Sequence, residues 1–479
     1  MGRHAVVIGA SMGGLLAARA LCGPYERVTV LERDALPDGP APRKGVPQGR
    51  HLHLLLSRGA EVLEAMFPGL QADLEAGGAP VARTWDGALI ELGGHRFTLG
   101  EHISGPPVFQ LSRPFLEDKV RARVRALPGV GIQDRTEVSG LLATGSRVTG
   151  VRLARDGVAT ELAADLVVDA TGRAGRAAVW LRELGYAPAR EDELGVDLLY
   201  VTRRLRLAPG VLGPLTFVGL GPHPGVPRAL GAETLEDGTW IATAVGYADD
   251  HPPTEAAAFV DYCDAIAPPH VAAALRAGDP VGDIVAHRYP AQRRRRYELL
   301  RRFPAGFLVF GDALCSFNPL YAQGMTVAAL EARALRSCLA RRADAGSPAF
   351  ARAFFRAAAL PVANAWQMAL GEDLALPQVP GRRTAWMHLY IWYVNHLKLA
   401  AARDPAVSEA FLRVVRFLDP FPRLACPDVA LRMLLAHARP LPDPTAPVLS
   451  DHQIPAGSAA TPAAGTQEGT RWAPAVPMP

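Results

Sequence analysis

The chain has 479 residues, of which 49% are hydrophobic and 20% charged, as in a globular protein with two or three domains. The formal net charge of only +4 excludes a strong field for nucleic acid, so we expect no nucleic-acid partner. Five scattered cysteines without metal-ligand spacing, no signal peptide and no run of 18 apolar residues predict a cytoplasmic protein without a metal site or transmembrane segment.

The first 32 residues have the pattern of a dinucleotide-binding unit. The apolar run Ala5–Ile8 predicts a strand buried on both faces, and a glycine-rich turn, Gly9–Gly14, follows it. Apolar residues at helical spacing over Leu15–Leu21 predict a helix, and Val28–Leu31 predicts a second strand that ends at Glu32. Strand, glycine turn, helix, strand and acid in this order favour nucleotide binding.

Each part of this unit has a physical role. Gly9 allows the sharp turn, and Gly14 lets the helix pack closely on the strand. The helix N-terminus presents free N–H groups to a pyrophosphate, and Glu32 can accept hydrogen bonds from both hydroxyls of an adenosine ribose. Ser11 replaces the usual middle glycine, and its hydroxyl can donate to the pyrophosphate.

The region up to residue 185 continues with alternating elements. A polar loop, Arg33–Gly49, precedes a predicted helix over Arg50–Phe67, and loops this long are usually functional. Short strands are predicted within 79–110, and a helix from the N-cap Ser112 to Leu127. The spacing of hairpin turns predicts a β-meander at 135–142, 147–155 and 159–163. A further buried strand is predicted over 165–172, where it runs into a glycine.

Beyond residue 190 the pattern changes to that of an inserted antiparallel sheet. Its predicted strands are 196–206, 214–220, 227–233, 239–247 and 283–289, with helices near 254–266 and 269–276. A buried strand returns at 306–310 and leads into Gly311-Asp312. Helical patterns then occupy 322–341, 347–371, 383–402 and 407–418.

Two later motifs extend the nucleotide prediction to a flavin. They are Val167–Arg176, with the sequence VVDATGRAGR, and Phe310–Met325, with the sequence FGDALCSFNPLYAQGM. The carboxylate of Asp312 can accept a hydrogen bond from a ribitol hydroxyl. The N-terminus of the helix that follows can stabilise negative charge on a reduced flavin ring. The three motifs together predict FAD rather than NAD.

These motifs carry a family resemblance that spans residues 4 to about 335. The resembling segments are Gly9–Met12, Glu32–Asp34, Arg43–Gln48, Arg50-His51, Asp169–Arg173, and Gly311-Asp312 through Asn318-Pro319 to Gly324-Met325. The chain resembles the FAD-dependent monooxygenases of the aromatic-hydroxylase-like superfamily, and within them it is most similar to the bacterial polyether-type flavin epoxidases.

The resemblance implies a set of cofactor-binding residues. They are Gly9, Ser11, Gly14, Glu32, Arg33, Gln48, Arg113, Val138, Thr171, Gly172, Asp312, Pro319, Gly324 and Met325. By resemblance, Arg113 reaches the FAD phosphates or ribitol, the backbone of Val138 meets the adenine, and Asp312 binds the ribitol. The isoalloxazine ring is framed by Pro319, Gly324, Met325 and the loop that contains Gln48.

One position departs from the family pattern. Hydroxylases of this kind carry an Asp-Gly pair that serves both FAD and NADPH, and here the aligned pair is Thr171-Gly172. A neutral threonine disfavours direct NADPH binding at this point. The reductant is therefore left open between NAD(P)H bound elsewhere and a separate flavin reductase as a partner.

Catalytic side chains are harder to identify from the sequence. His51 and His53, near the predicted flavin loop, are candidates for a proton donor or substrate contact, although a structural role is the more frequent one for histidine. Cys315 is expected to be a buried apolar residue rather than a flavin attachment site. The aromatic-rich helix 383–402 is expected to pack in the core, with a substrate wall or a membrane or carrier-protein contact as alternatives.

The resemblance implies an enzyme that oxygenates an apolar natural-product intermediate. Reduced flavin would react with oxygen to give a C4a-hydroperoxyflavin, which epoxidises or hydroxylates the substrate. A polyene, free or carrier-bound, is a candidate substrate, because epoxidation needs no strong protein base. The alternatives are a non-redox [4+2] cyclase that contains FAD, a reductase of isoprenoid double bonds, and a non-enzymatic FAD-binding protein. No Trp-x-Trp-x-Ile-Pro segment occurs, which disfavours a halogenase.

The predicted fold class is α/β, with a Rossmann-like FAD-binding domain of the glutathione-reductase type, an inserted antiparallel-sheet substrate domain and C-terminal helices. The FAD-binding domain is discontinuous, at residues 1–78, 106–185 and 305–345. The substrate domain comprises 79–105 and 186–304. The C-terminal helical region is 346–439, and residues 440–479, rich in Pro, Ala, Gly and Thr, are expected to be disordered.

Overall fold

The computed structural model describes residues 2–341 and 347–441. Its strands are β1 (Gly2–Ile8), β2 (Tyr25–Leu31), β3 (Val81–Ala82), β4 (Ala88–Leu92), β5 (His95–Arg96), β6 (Val108–Phe109), β7 (Val130–Gln133), β8 (Thr136–Thr144), β9 (Arg147–Arg155), β10 (Val158–Ala163), β11 (Leu166–Asp169), β12 (Glu191–Arg206), β13 (Phe217–Leu220), β14 (Arg228–Thr234), β15 (Trp240–Tyr247), β16 (Asp279–Pro280), β17 (Val285–Arg295), β18 (Phe307–Val309) and β19 (Cys315–Ser316).

Helices cover both sheets and form most of the C-terminal third of the described chain. They are α1 (Met12–Leu21), α2 (Ser57–Met66), α3 (Leu70–Ala76), α4 (Arg113–Arg125), α5 (Ala177–Glu183), α6 (Ala256–Asp264), α7 (Pro269–Ala277), α8 (Gly324–Arg341), α9 (Pro348–Leu374), α10 (Ala385–Ala401), α11 (Pro405–Val415) and α12 (Pro427–His437). Short 3-10 helices lie at Pro47–Arg50, Tyr297–Leu299, Gly311–Ala313, Pro319–Tyr321 and Phe421–Ala425.

A five-stranded parallel sheet, in the order β18-β11-β1-β2-β7, carries all three predicted cofactor motifs. Ile8 is paired with Asp169, and Asp169 in turn with Val309, so β1, β11 and β18 end at the same level. The turns that follow these strands therefore meet at one edge of the sheet. This edge is where open α/β sheets bind ligands.

The second large sheet has nine strands in the order β19-β17-β12-β15-β14-β13-β4-β5, with β16 beside β12. All its pairs are antiparallel except β13 with β4. The predicted meander forms a separate three-stranded sheet, β10-β9-β8, and β3 pairs with β6. Together these elements confirm the predicted α/β fold class, with a Rossmann-like parallel sheet, antiparallel sheets and C-terminal helices.

Helices pack on both sheets, in separate hydrophobic clusters. The parallel sheet packs against α1, α4, α8 and α9, where Val7, Leu16, Phe310 and Phe354 are fully buried. The C-terminal helices pack on β4 and its neighbours, in a cluster that includes Ile90 and Leu397. This cluster forms one side of the cavity described below.

The helix predicted over Arg50–Phe67 is wrong in its first half. The regular helix begins only at Ser57, because the preceding residues bond to the large sheet and to β6 instead. The N–H of Leu52 donates to Thr243 Oγ1 over 3.1 Å, and Leu55 makes a bridge to Phe109. These tertiary hydrogen bonds replace the helical ones.

Helix α12 was not predicted, and the structure places it directly before the predicted tail. The tail lies outside the described residues from residue 442 onward, as do residues 342–345 at the end of the predicted FAD-binding domain. The domain boundaries stay a prediction. Between residues 2 and 441, leaving aside the gap at 342–346, no helix has the length and apolar character needed to cross a membrane.

Candidate functional site

The glycine turn after β1 is closed too tightly for side chains at two positions. Gly9 has φ +103°, and a Cβ there would lie 2.6 Å from the carbonyl oxygen of Ala170. A Cβ on Gly14 would lie 1.7 Å from the carbonyl oxygen of Gly9. A Cβ on Gly13, by contrast, would make only ordinary contacts. Gly9 and Gly14 therefore have the conformational roles that the motif predicts.

Helix α1 begins at this turn with an uncapped N-terminus. Ser11 occupies the N-cap position but makes no capping hydrogen bond, because its hydroxyl donates to Glu117 Oε2 over 3.1 Å. The first turn of the helix contains no acidic residue. Its N–H groups and positive dipole end are thus available to an anion.

Arg113, at the start of α4, lies at the centre of the site. Its Nη2 donates to Ser11 Oγ over 2.9 Å, and its Nη1 lies 3.0 Å from Glu117 Oε2. Burial lowers the pKa of this guanidinium while the carboxylate of Glu117 raises it, and the group stays cationic. Arg113 thus places a buried positive charge beside the uncapped helix.

The predicted ribose ligand, Glu32, is held in place by several donors. Its Oε2 accepts from the N–H of Ala10 over 2.8 Å and lies 3.0 Å from Nη1 of Arg43. Its Oε1 accepts from the N–H of Asp34 over 3.1 Å. Each carboxylate oxygen has more than one lone pair, so Oε1 retains capacity for a ligand hydroxyl.

Arg43 is a buried cation that the sequence did not single out by itself. It pairs with Asp34 at 3.2 Å and with Glu117 at 3.1 Å, in addition to Glu32. The Arg43 side chain thereby joins the polar loop Arg33–Gly49 to the end of β2 and to the N-terminal part of α4. This ion-pair network fixes the entry of the loop that contains Gln48.

Asp312 lies in the turn after β18, as predicted. Burial raises the pKa of its carboxyl group, and the nearby Arg113 and Arg173 act in the opposite direction. Among the described residues no hydrogen-bond donor to this carboxylate is found, so it can accept from a ligand hydroxyl. The adjacent N–H of Gly311 donates instead to buried Glu331, over 2.7 Å.

The departure at Thr171 has a clear local consequence. Its N–H and its hydroxyl both donate to Oδ1 of Asp169, over 3.0 and 2.5 Å. Asp169 is fully buried, and this burial raises the pKa of its carboxyl group. Gly172 follows with φ +78°, a conformation that favours glycine. The threonine therefore closes the turn after β11 and presents no free charge there.

Two further predicted cofactor-binding residues are Arg33, after β2, and Val138, on β8. Arg33 follows Glu32 directly and is exposed, whereas Val138 is buried on β8. The start of β8 is fixed beside the acid, because the N–H of Thr136 donates to the carbonyl oxygen of Glu32 over 2.8 Å. Both residues thus lie near the end of β2, where the resemblance puts the adenosine.

The two candidate histidines lie in the extended segment after the Gln48 turn. His51 is buried, with its Nδ1 2.7 Å from Thr202 Oγ1, and burial lowers its pKa to about 3. Burial and the charge of Arg113 lower the pKa of His53 to about 4. Both rings are neutral at pH 7, so neither is an imidazolium acid. A catalytic role for them stays a prediction.

The turn predicted to frame the flavin ring leads into α8. Pro319 begins a short 3-10 helix that ends at Tyr321, and Ala322 has φ +53°. Gly324 starts α8, and a Cβ there would lie 3.8 Å from Oδ1 of Asp312. Met325, half-buried, packs against the main core.

A buried acid behind this turn was missed by sequence reasoning. Asp373, on α9, accepts from Tyr321 Oη over 2.7 Å, Asn318 Nδ2 over 2.8 Å and Tyr247 Oη over 2.9 Å. The amide of Gln292 donates to its other oxygen over 2.9 Å. Burial raises the pKa of Asp373 to about 7, against the effect of these hydrogen bonds.

An apolar cavity of about 290 Å³ begins at the same turn. The large sheet contributes Ala88, Phe217 and Val245, and the C-terminal helices contribute Val394 and Phe411. The turn itself contributes its side chains from Pro319 to Gln323. The ion pair of Lys398 with Glu372, 2.6 Å apart, is among the few charged groups at its wall.

The residues present fit FAD. An uncapped helix start, a backbone cradle that a Cβ would fill, and a buried arginine suit a pyrophosphate. The carboxylate of Asp312 suits a polyol, and the adjoining apolar cavity suits a ring system and its substrate.

Comparison with known proteins agrees with this geometry. Protein Rv3254 of Mycobacterium tuberculosis is 37% identical over 426 residues, which are 87% of this chain and 90% of the relative. The FAD binding domain family matches residues 3–191. This chain belongs to the FAD binding domain family. The prediction of a flavin-dependent enzyme is confirmed.

Solved structures share the fold of this FAD-binding enzyme. A triple mutant of the flavin-dependent brominase Bmp2 matches with a TM-score of 0.64 and 15% identity, over 91% of this chain and 98% of that one. OxyS anhydrotetracycline hydroxylase from Streptomyces rimosus matches with a TM-score of 0.58 and 17% identity, over 87% of this chain and 76% of that one. The Diels-Alderase PyrE3, from the biosynthetic pathway of pyrroindomycins, matches with a TM-score of 0.58 and 16% identity, over 87% of this chain and 80% of that one. At these identities the likeness shows the fold alone.

Sequence reasoning did not single out two buried charged residues of this region, Arg43 and Asp373. Arg43 stood within a quoted motif, and only its burial beside three carboxylates shows its role. Asp373 follows Glu372 in a long helix, where an acidic pair usually faces solvent. No local signal in the sequence distinguishes it.

Proposed function

We propose that this flavoprotein is a monooxygenase that transfers one oxygen atom to a C=C bond or an electron-rich carbon of an apolar natural-product intermediate. The observation that supports this proposal is the position of the apolar cavity, whose wall includes the Pro319–Gln323 turn beside Asp312 and Gly324. A substrate in the cavity would lie next to the ring of a cofactor held by these residues.

Bound FAD, once reduced, would supply two electrons to molecular oxygen. One oxygen atom forms the new bond to the substrate carbon, and the other leaves as water after taking up two protons. The reaction therefore consumes one oxygen molecule and one equivalent of reduced flavin for each product formed.

The residues of this chain would bind and orient the reactants. The start of α1 and Arg113 would bind the pyrophosphate, and Asp312 would fix the ribitol, so that the ring is held against the cavity. The apolar wall would exclude water from the reacting atoms. No step in this scheme requires His51 or His53 as an acid, in keeping with their low pKa values.

The proposal is tested by exposing the reduced holoenzyme to oxygen together with linear polyenes and polycyclic phenols. A product heavier by one oxygen atom, formed only from reduced flavin and only in air, supports the monooxygenase. Consumption of oxygen with release of peroxide and no modified substrate, across the whole panel, argues against it.

A cycloaddition is the second candidate, because the fold is shared with the Diels-Alderase PyrE3 and Thr171 leaves the flavin without the usual Asp-Gly pair. Under this alternative the flavin would be structural. A cyclised product of unchanged mass, formed equally fast with oxidised flavin under nitrogen, would select it. A product that gains hydrogen without oxygen uptake would instead indicate a double-bond reductase.

A further inference from the structure

Two neighbouring helices near the end of the described chain expose large apolar side chains. We call these side chains the α10–α12 face; they are Trp386, Leu389, Trp392, Leu431, Leu434 and Leu435, each between 52% and 71% exposed. Side chains of this size are exposed singly on most soluble proteins. Six of them on two helices in contact are unusual, and the expectation that the aromatic-rich helix is plain core packing is wrong for Trp386 and Trp392.

The six side chains lie on adjoining surfaces of the two helices. Trp386, Leu389 and Trp392 follow at three-residue intervals, which places them on one side of α10. The ring of Trp392 lies 4.3 Å from that of His396, which stacks on His437 of α12 at 5.2 Å. Leu434 and Leu435 on α12 lie about one turn before His437. The face is therefore continuous across the contact between the two helices.

The surroundings of this face are positively charged. Between Leu374 and Arg403 the sequence contains no Asp or Glu, and Arg382 is exposed just before α10. On α12 and just after it, Arg432 and Arg439 are exposed, and their shared partner is a single buried carboxylate. The one acid of α12, Asp428, is neutralised by a bidentate pair with Arg423.

We propose that the α10–α12 face docks on the surface of an anionic lipid bilayer. Tryptophan and leucine side chains enter the boundary between headgroups and acyl chains, and arginines at the rim bind lipid phosphates. The described residues contain no membrane-spanning helix, so the contact would be peripheral. An acidic protein partner would complement the arginines equally well, but exposed tryptophans on a helix lying flat at the surface favour the lipid boundary.

The opposite side of α10 lines the apolar cavity. Tyr390, Val394 and Lys398, spaced four residues apart on α10, contribute to its wall. A bilayer at the α10–α12 face would therefore lie one helix diameter from the cavity. This inference goes beyond the proposed oxygenation and does not depend on it, because binding to lipid is measured without any reaction.

The test is flotation of the full-length holoenzyme with vesicles of phosphatidylcholine alone or mixed equally with phosphatidylglycerol. We expect binding to the mixed vesicles and little to the neutral ones, with a loss when NaCl rises from about 0.1 to about 0.5 M. Replacing Trp386 and Leu434 together by serine lowers the affinity about tenfold or more. Leu360→Ser, at an equally exposed leucine of α9, leaves it unchanged.

Several outcomes would overturn the proposal. One is the absence of flotation with either vesicle. Another is equal flotation of the double serine variant and Leu360→Ser while both keep FAD and the wild-type melting temperature. A third is a self-associated holoenzyme that the double variant makes monomeric and that does not float, which would assign the face to a second copy of the chain.

Discussion

Arg113 donates a hydrogen bond from its guanidinium to the hydroxyl of Ser11 over 2.9 Å, across 102 positions of sequence. The bond joins the start of α4 to the start of α1 and sets a buried cation beside an uncapped helix N-terminus. Ser11 thus replaces the usual motif glycine with a hydroxyl that holds the arginine. Its hydroxyl donates to Glu117 in turn, so the three side chains form one unit.

Replacing Arg113 by methionine should weaken FAD binding more than it destabilises the fold. A lost charge-assisted hydrogen bond costs about 2 kcal/mol, or about thirtyfold in affinity. Titration of the apoprotein with FAD, followed by flavin fluorescence, measures the change. Arg125→Met, at an exposed position of the same helix, is the matched control and should bind FAD as the wild type does. Equal FAD affinities for the two variants would show that Arg113 does not contribute to FAD binding.

Gly14 and Gly13 provide a second matched pair. Gly14→Ala drives a Cβ into the Gly9 carbonyl oxygen, and we expect a loss of about 3 kcal/mol in the free energy of unfolding. Gly13→Ala meets no atom closer than 3.7 Å and should change stability by less than about 1 kcal/mol. Urea unfolding of the apoproteins measures both. If Gly14→Ala left the free energy of unfolding unchanged, this would show that α1 does not pack as described.

Asp373 should make the wild type less stable as the pH rises. A carboxyl group whose pKa is raised on folding, here from 3.8 to about 7, contributes stability below pH 4 that is lost as the pH rises through 7. Asp373→Asn removes this dependence, because an amide does not titrate. The buried Oε1 of Gln292 lacks a donor and can accept from the new amide once the side chain flips.

Urea midpoints of the wild type and Asp373→Asn at pH values of about 4.5 and about 8 measure the effect. The difference between the two pH values should shrink in the variant. Asp156→Asn serves as control, since Asp156 is an exposed turn residue whose positive φ asparagine also adopts. A variant with the same pH dependence as the wild type would mean that Asp373 is ionised throughout.

Reduction of the flavin should depend on a second protein. The Thr171 hydroxyl is bound to Asp169, so no free carboxylate follows β11 where hydroxylases of this kind use one for NADPH. We expect slow bleaching of bound FAD by NADPH alone and fast bleaching when a flavin reductase and free FAD are added. Anaerobic stopped-flow absorbance makes the comparison. Fast reduction by NADPH alone would place a nicotinamide site on this chain.

The edge of the parallel sheet where the three motifs meet could be predicted from the sequence, because each motif is a short continuous segment. The order of β1, glycine turn, α1, β2 and Glu32 lies within 32 residues, and each part has its own signal. The later motifs at Asp169 and Asp312 follow buried strands, and parallel pairing brings them to the same edge. Local chemistry and one rule of sheet geometry were therefore sufficient.

The rest depended on contacts between distant segments. The segment from His51 to Leu56 has helical spacing, yet Thr202 and Thr243 of the large sheet bind it in an extended form. Asp373 becomes a site residue only because α9 passes behind the Asn318 turn. The exposure of Trp386 depends on which side of α10 faces the cavity. None of these facts is encoded within a window of neighbouring residues.

A single turnover under isotopically heavy oxygen gas tests the central claim most directly. The holoenzyme is reduced without air and mixed with an apolar substrate from the panel and the labelled gas. The account predicts a product that carries one labelled atom, with a lower yield in Ala88→Phe, which fills the cavity, and an unchanged yield in Ala159→Phe, at an exposed position of β10. A product without label, formed at the same rate from oxidised flavin, would contradict it.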